Sequence, residues 1–150
     1  MIADLTLAAL NFILIFALVG LLGAEAALVR EDMDGTQANR VATLDRGYGA
    51  AAGLLLVVGF TRVFHGAKGA AFYLENPVFW AKIAAFALVG ALSILPTVRF
   101  IAWQRRARKD PGFRLAAADV RSVRRLIAAQ AAVLLAIPVL AGAMARGYGL

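Results

Sequence analysis

Residues 5–23 read LTLAALNFILIFALVGLLG, a run with no ionisable side chain that is long enough to cross most of a bilayer's hydrocarbon core. Ala24-Glu25-Ala26 after it has the small-x-small form of a leader-peptide cleavage site. No Lys or Arg precedes the run, however, and it is longer than the apolar core of a leader, so it reads as a retained span. Three further stretches of the same character follow. The spans are placed at about residues 5–29, 45–64, 77–100 and 123–145. Hydrophobic residues make up 62% of the chain and its mean hydropathy is +0.77, against roughly half apolar in soluble domains. No stretch alternates with the two-residue period of a barrel strand. A helix satisfies its own backbone in lipid, so the expected fold is all-α: an integral membrane four-helix bundle, one domain over residues 1–150.

Charge sets the expected orientation. The first connection holds Arg30, Arg40 and Arg46. The third holds Arg99, Arg105, Arg106, Arg108, Lys109, Arg114, Arg121, Arg124 and Arg125. Two crossings separate these connections, so they share a side. The other side has Arg62, Lys68 and Lys82, with Arg146 near the C-terminus. The positive-inside rule then places both basic connections in the cytoplasm of a bacterial cell and both termini on the outer, periplasmic side of the inner membrane. The net charge of +7 is matched to anionic phospholipid headgroups at the cytoplasmic face, either as a plain topology determinant or as a grip for a specific partner. With no room for a basic soluble module, nucleic acid is excluded as a partner. The absence of cysteine excludes disulfides, Fe–S clusters and thiolate metal sites.

Asp110-Pro111-Gly112 divides the third connection. Arg99 to Lys109 is expected to prolong span three as a basic helix, and 116–125 to lead into span four with Asp119 near the positive helix end. Gly49-Ala50-Ala51-Ala52-Gly53 is a G-x-x-x-G motif, expected to pack against a neighbouring span before a second copy of the chain. A homo-oligomer or a larger membrane complex remains open. Pro96 and Pro138 interrupt spans three and four, and Ser93 and Thr97 are placed to satisfy carbonyls freed there.

Ionisable residues inside a span are costly and therefore informative. At 1.5 Å per residue, Glu25 lies ~12 Å from the middle of span one toward the cytoplasm and Lys82 a similar distance the other way, so a bridge between them would cover ~20 Å. That pair is excluded. Glu25 shares its level with Asp45, Arg46 and Arg99, which predicts a Glu25–Arg46 or Glu25–Arg99 ion pair, with a proton-handling or cation-binding carboxylate as the functional alternative. One carboxylate with Asp45 and no nearby histidine is a thin metal-ligand set, so no metal site is expected.

The outer level carries Arg62, His65, Lys68, Tyr73, Glu75, Asn76, Trp80 and Lys82 among Phe60, Phe64, Phe72 and Phe79, with Asn11 at a similar depth. Such a set reads either as an interfacial aromatic belt with snorkelling cations or as a pocket for an amphipathic anionic, quinone-like or porphyrin-like ligand. In the pocket, Arg62 and Lys82 would meet the anionic or carbonyl group; Glu75 would neutralise Lys82 in its absence. His65 is the only histidine, which excludes a bis-histidine haem within one subunit.

The stretches Gly69-Ala70-Ala71-Phe72-Tyr73, Asn76-Pro77-x-Phe79-x-x-Lys82 and Ser93-x-x-Pro96-Thr97-x-x-Phe100-x-x-Trp103 resemble a family of small bacterial inner-membrane proteins known as domain of unknown function 2214. That resemblance spans nearly the whole chain and implies four spans, with no activity attached. Phe79-Trp80-Ala81-Lys82-Ile83 is also similar to the start of the third span in HemJ-type protoporphyrinogen oxidases, within a wider group that includes CopD-like membrane proteins. Ala81 stands where those oxidases carry a histidine, and Glu25 where a histidine-containing segment is expected. The expected function is a non-enzymatic membrane accessory of redox or cofactor metabolism. A porphyrin-oxidase-type oxidoreductase, an ion-coupled transporter using Glu25, and a structural subunit are the alternatives.

Overall fold

The computed structural model describes residues 2–65 and 69–148. Five helices follow one another: α1 (Ile2–Leu28), α2 (Gly35–His65), α3 (Gly69–Leu74), α4 (Pro77–Lys109) and α5 (Ala117–Ala145). Four of them, over Leu5–Leu28, Gly35–His65, Pro77–Lys109 and Ala117–Ala145, are long and apolar enough to cross a membrane. The protein is an all-helical membrane protein.

The neighbours in the bundle run α1, α2, α4, α5 and back to α1. α1 is thus diagonal to α4, and α2 to α5. The hairpins α1–α2 and α4–α5 form the two most extensive packing faces. Leu14, Leu18, Leu22, Leu55, Val58, Val89, Ile127, Leu134 and Ile137 fill the centre. Many outward side chains, such as Phe16, Val57, Ile94 and Val139, are apolar and exposed. Lipid covers such a surface.

α2 and α4 run furthest beyond the expected spans. α2 begins at Gly35, about ten residues before the expected boundary, because Asp34 and Gln37 form a reciprocal cap. The Gln37 N–H donates to Asp34 Oδ1 at 2.9 Å, and the Asp34 N–H to Gln37 Oε1 at 3.2 Å. With 31 residues, α2 is ~46 Å long, well beyond a ~30 Å core. α4 runs on to Lys109 as the basic extension expected, and Asp110 caps it through its N–H to Arg106 O.

At this basic end the two connections dock on each other. Val29, Met33, Phe100, Trp103, Phe113 and Leu115 are all buried. The Asp32 N–H donates to Leu115 O at 3.2 Å, and Arg124 Nη1 donates to Val29 O at 3.3 Å. Arg106 lies over the Phe113 ring, 5.5 Å from its centroid. A Cβ at Gly35 would stand 3.2 Å from Ala107 Cβ, so a glycine suits the approach of α2 to α4. Arg99 Nη1 meets Asp119 Oδ1 at 2.7 Å and ties α4 to α5.

Two packing expectations need correction. Gly49 and Gly53 lie on the exposed side of α2 with nothing within contact range, so the G-x-x-x-G motif does not pack against another span of this chain. Ser93 Oγ does donate to a carbonyl of its own helix, Gly90 O at 2.7 Å. Thr97 instead reaches across to α2 and donates to Asp45 Oδ1 at 2.9 Å.

If the docked connections hold the basic end together, Phe113→Ala should lower unfolding stability by about 3–5 kcal/mol. Asp119→Asn, at a partly exposed ion pair, should cost less than about 1 kcal/mol. Thermal unfolding of the two variants in detergent measures the contrast.

Candidate functional site

The end of the bundle where α1 begins and α5 ends is built differently. The chain leaves α2 at His65 and returns through α3 to Asn76-Pro77, which starts α4. Pro77 suits the first helical position because it has no N–H to leave unpaired. Asn76 Oδ1 caps the helix by accepting from the Val78 N–H at 2.8 Å, and its Nδ2 donates to Tyr148 O at 3.3 Å. The Trp80 indole N–H donates to Leu74 O at 2.9 Å, fastening α3 to α4. Tyr73 packs edge-on against Phe72 and Phe79, with ring centroids 5.2 and 5.9 Å apart.

Behind these rings is a cavity of about 190 Å³ to which all five helices contribute. Its walls are mainly apolar: Ile15 and Phe12 of α1, Leu55 and Val63 of α2, Phe79 and Phe86 of α4, Ile137 and Met144 of α5. Asn11, Arg62, Lys82 and the phenol of Tyr73 line it as well. Phe79, Lys82 and Phe86 share one face of α4 by helical spacing. Asn11 is buried, and its Nδ2 lies 4.0 Å from where a Cβ of Gly59 would be. Lys82 has no ion-pair or hydrogen-bond partner among the described residues, and another cation, Arg62, lines the same cavity.

The cavity thus brings together Arg62, Tyr73 and Lys82 of the candidates. Others stand apart. His65 is exposed at the end of α2 and does not line the cavity. Trp80 is 53% exposed on the outer side of α4. Asn76 is 0% exposed with its side-chain oxygen and nitrogen both engaged, which makes it a cap. Glu75 is exposed between α3 and α4 and makes no bridge to Lys82. Lys68 lies outside the described residues. Gly142 and Met144 of α5 were not singled out from the sequence, since nothing there marks which side of α5 faces Lys82.

At the basic end, neither expected partner of Glu25 reaches it. Arg99 is on the diagonal helix and pairs with Asp119. Arg46 Nε donates to Ala42 O at 3.1 Å and its Nη2 to Thr43 Oγ1 at 3.2 Å, on the exposed side of α2. Glu25 is 1% exposed, and its Oε1 has no hydrogen-bond partner among the described residues.

Residues 3–149 match the family model described as "Predicted membrane protein (DUF2214)". The chain belongs to this family. No curated protein and no solved structure matches it, and the likeness to HemJ-type and CopD-like proteins therefore gains no support from known relatives.

Asn76→Asp keeps the accepting oxygen of the cap but loses the Nδ2 donation to Tyr148 O, so it should cost less than removing both. Asn76→Ala should cost about 1–2 kcal/mol of unfolding stability, read as a lower midpoint in the same detergent.

Proposed function

We propose that this DUF2214 protein is a four-span protein of the bacterial inner membrane. In its outer-leaflet cavity it holds an amphipathic molecule with an anionic or carbonyl head, acting as an accessory of membrane redox or cofactor metabolism. The observation that carries this reading is Lys82: an ammonium within a span, in an apolar aromatic cavity that it shares with another cation, Arg62. An isolated cation in that setting is costly, and an anionic or strongly accepting head group offsets the cost.

The shape of the cavity narrows the ligand class. Pockets that take up a whole drug-sized ligand measure about 300–1,000 Å³, so 190 Å³ suits a ring or head group with the tail left outside. Phe12, Leu56 and Phe60 line the cavity and are also substantially exposed. They form an apolar rim between α1 and α2, through which a tail can pass into the acyl chains. A quinone-like or lipid-like molecule fits these features better than a porphyrin. Haem ligation by His65 finds no support, because that side chain is outside the cavity. The basic connections supply the orientation: they face the cytoplasm and its anionic phospholipid, and the cavity opens toward the periplasmic side.

Purified with the native membrane's lipids, the protein should carry an amphiphile detectable by extraction and mass spectrometry. Lys82→Ala should lower its amount about tenfold, as expected for losing a hydrogen bond to a charged group, while Lys82→Arg retains most of it. The visible spectrum of the same extract separates quinone or lipid from porphyrin. Equal content in all three proteins would contradict the reading.

Orientation has its own test, aided by the absence of cysteine. In intact cells a membrane-impermeant thiol reagent should label Glu75→Cys. Lys109→Cys should stay unlabelled until the inner membrane is permeabilised.

A further inference from the structure

The Glu25 region is separate from the Lys82 cavity and has its own chemistry. Between α2 and α4, the least tightly packed of the long-helix seams that flank α2, runs a groove of about 210 Å³. Asp45, Tyr48, Ser93 and Thr97 line it, with Gly49 and Gly90 keeping it open. Phe86 lines both this groove and the Lys82 cavity, so one aromatic ring divides them. Arg46 stands at the groove's basic end, where the helices leave the membrane.

The polar groups here are mismatched. Glu25 Oε1 and the Tyr48 hydroxyl are both buried without a hydrogen-bond partner, in residues 1% and 4% exposed. Tyr48 lines the groove together with Asp45, one turn before it on α2. Thr97 uses its hydroxyl proton on Asp45 Oδ1, so it orients that carboxylate and offers only lone pairs to anything else. Two carboxylates and a threonine hydroxyl whose proton is spent make a surplus of oxygen acceptors, against the single donor proton of Tyr48. The cations that might balance them are engaged elsewhere. Of α2, Arg46 acts on Asp45 from the outer side and hydrogen-bonds to Ala42 and Thr43. Of α4, Arg99 is held by Asp119. Of α5, Arg124 donates to the Val29 carbonyl. Leu21 of α1 lies against Gly47 of α2, so Glu25, one turn further along α1, stands at the level of Asp45 behind the groove's wall, and no cation is paired with it among the described residues.

We infer that Glu25, Asp45, Tyr48 and Thr97 form a binding site for one small positive charge, a sodium ion or a proton, within the membrane-spanning bundle. The ligand set selects this class. Oxygen donors suit hard cations, whereas soft metals call for sulfur or imidazole. A calcium ion takes six to eight oxygens, usually with several carboxylates, and among the described residues no third acid or histidine joins the pair. Asp45 is already partly countered by Arg46, which leaves a single charge on Glu25 to be met. One monovalent cation, or one proton shared across the carboxylates, supplies it and gives the unpartnered oxygens a partner.

The test is a thermal-unfolding titration of the full chain in mild detergent. One arm replaces choline by sodium at constant ionic strength and pH; the other varies pH at constant salt. A cation bound only by the folded state should raise the midpoint by about 3–6 °C for each tenfold increase beyond its dissociation constant. A sodium response identifies sodium as the occupant. A midpoint that falls as protons are withdrawn, with no sodium response, identifies the proton. In either case Glu25→Gln and Asp45→Asn should each flatten the response several-fold. Infrared difference spectra of the unmodified protein across the same titration should show a carboxyl band changing state, which covers the case of a variant that does not fold. A flat midpoint in both arms, or a response that persists unchanged in both variants, overturns the site.

Discussion

A peptide group in the middle of a bilayer finds no water to hydrogen-bond, and this constraint governs everything else in the molecule. Four long helices answer it by closing their own backbone bonds, and the outer surface can then be as apolar as Phe16, Val57, Ile94 and Val139 make it. Side-chain charge has no such internal solution. It is pushed to the two ends of the bundle or into its interior, where each group needs a partner. Arg99 finds Asp119, Arg124 finds the Val29 carbonyl, and Asp45 finds Thr97. The groups left over, Lys82 at one end and Glu25 with Tyr48 at the other, are the ones that invite a ligand.

The two ends solve the helix-terminus problem in different ways. At the basic end, α2 and α4 outrun the membrane and their connections fold onto one another around Phe113, Trp103 and Met33. That mutual docking leaves a sealed apolar plug below the membrane. At the other end α3 turns back over the bundle, pinned by Trp80 and by the Asn76 cap, and encloses space with aromatic rings that stack edge-on. Enclosed space next to a charge is what a binding site requires; sealed packing is not. The ligand-sized cavity and the dense basic patch therefore lie at opposite ends.

Depth was legible in the sequence and azimuth was not. The run at 5–23 and its three counterparts place the spans, and counting residues along them puts Glu25 at the level of Asp45 and at the opposite end from Lys82. The same count could not say that α1 lies diagonal to α4, and so an arginine at the right level, Arg99, was on the wrong helix for Glu25. His65 and Trp80 were at the right level too, but on sides of their helices that face away from the cavity. Asn76 was misread for another reason: followed by Pro77 it is a helix start, and its polar atoms are consumed by that role. The early start of α2 was written in Asp34 and Gln37, a cap signal hidden within a polar connection. Gly49 and Gly53 match a packing motif, but the partner-facing side of α2 runs through Leu55, Val58 and Val63 instead.

Whether the Lys82 cavity holds an amphiphile is most directly measured by native mass spectrometry of the unmodified protein released gently from its membrane. A single amphipathic molecule bound per chain, surviving detergent removal and identified after activation in the gas phase, is the expected result. A chain that flies at its bare mass, or with nothing but the detergent and bulk phospholipid found on any membrane protein, would contradict the central claim.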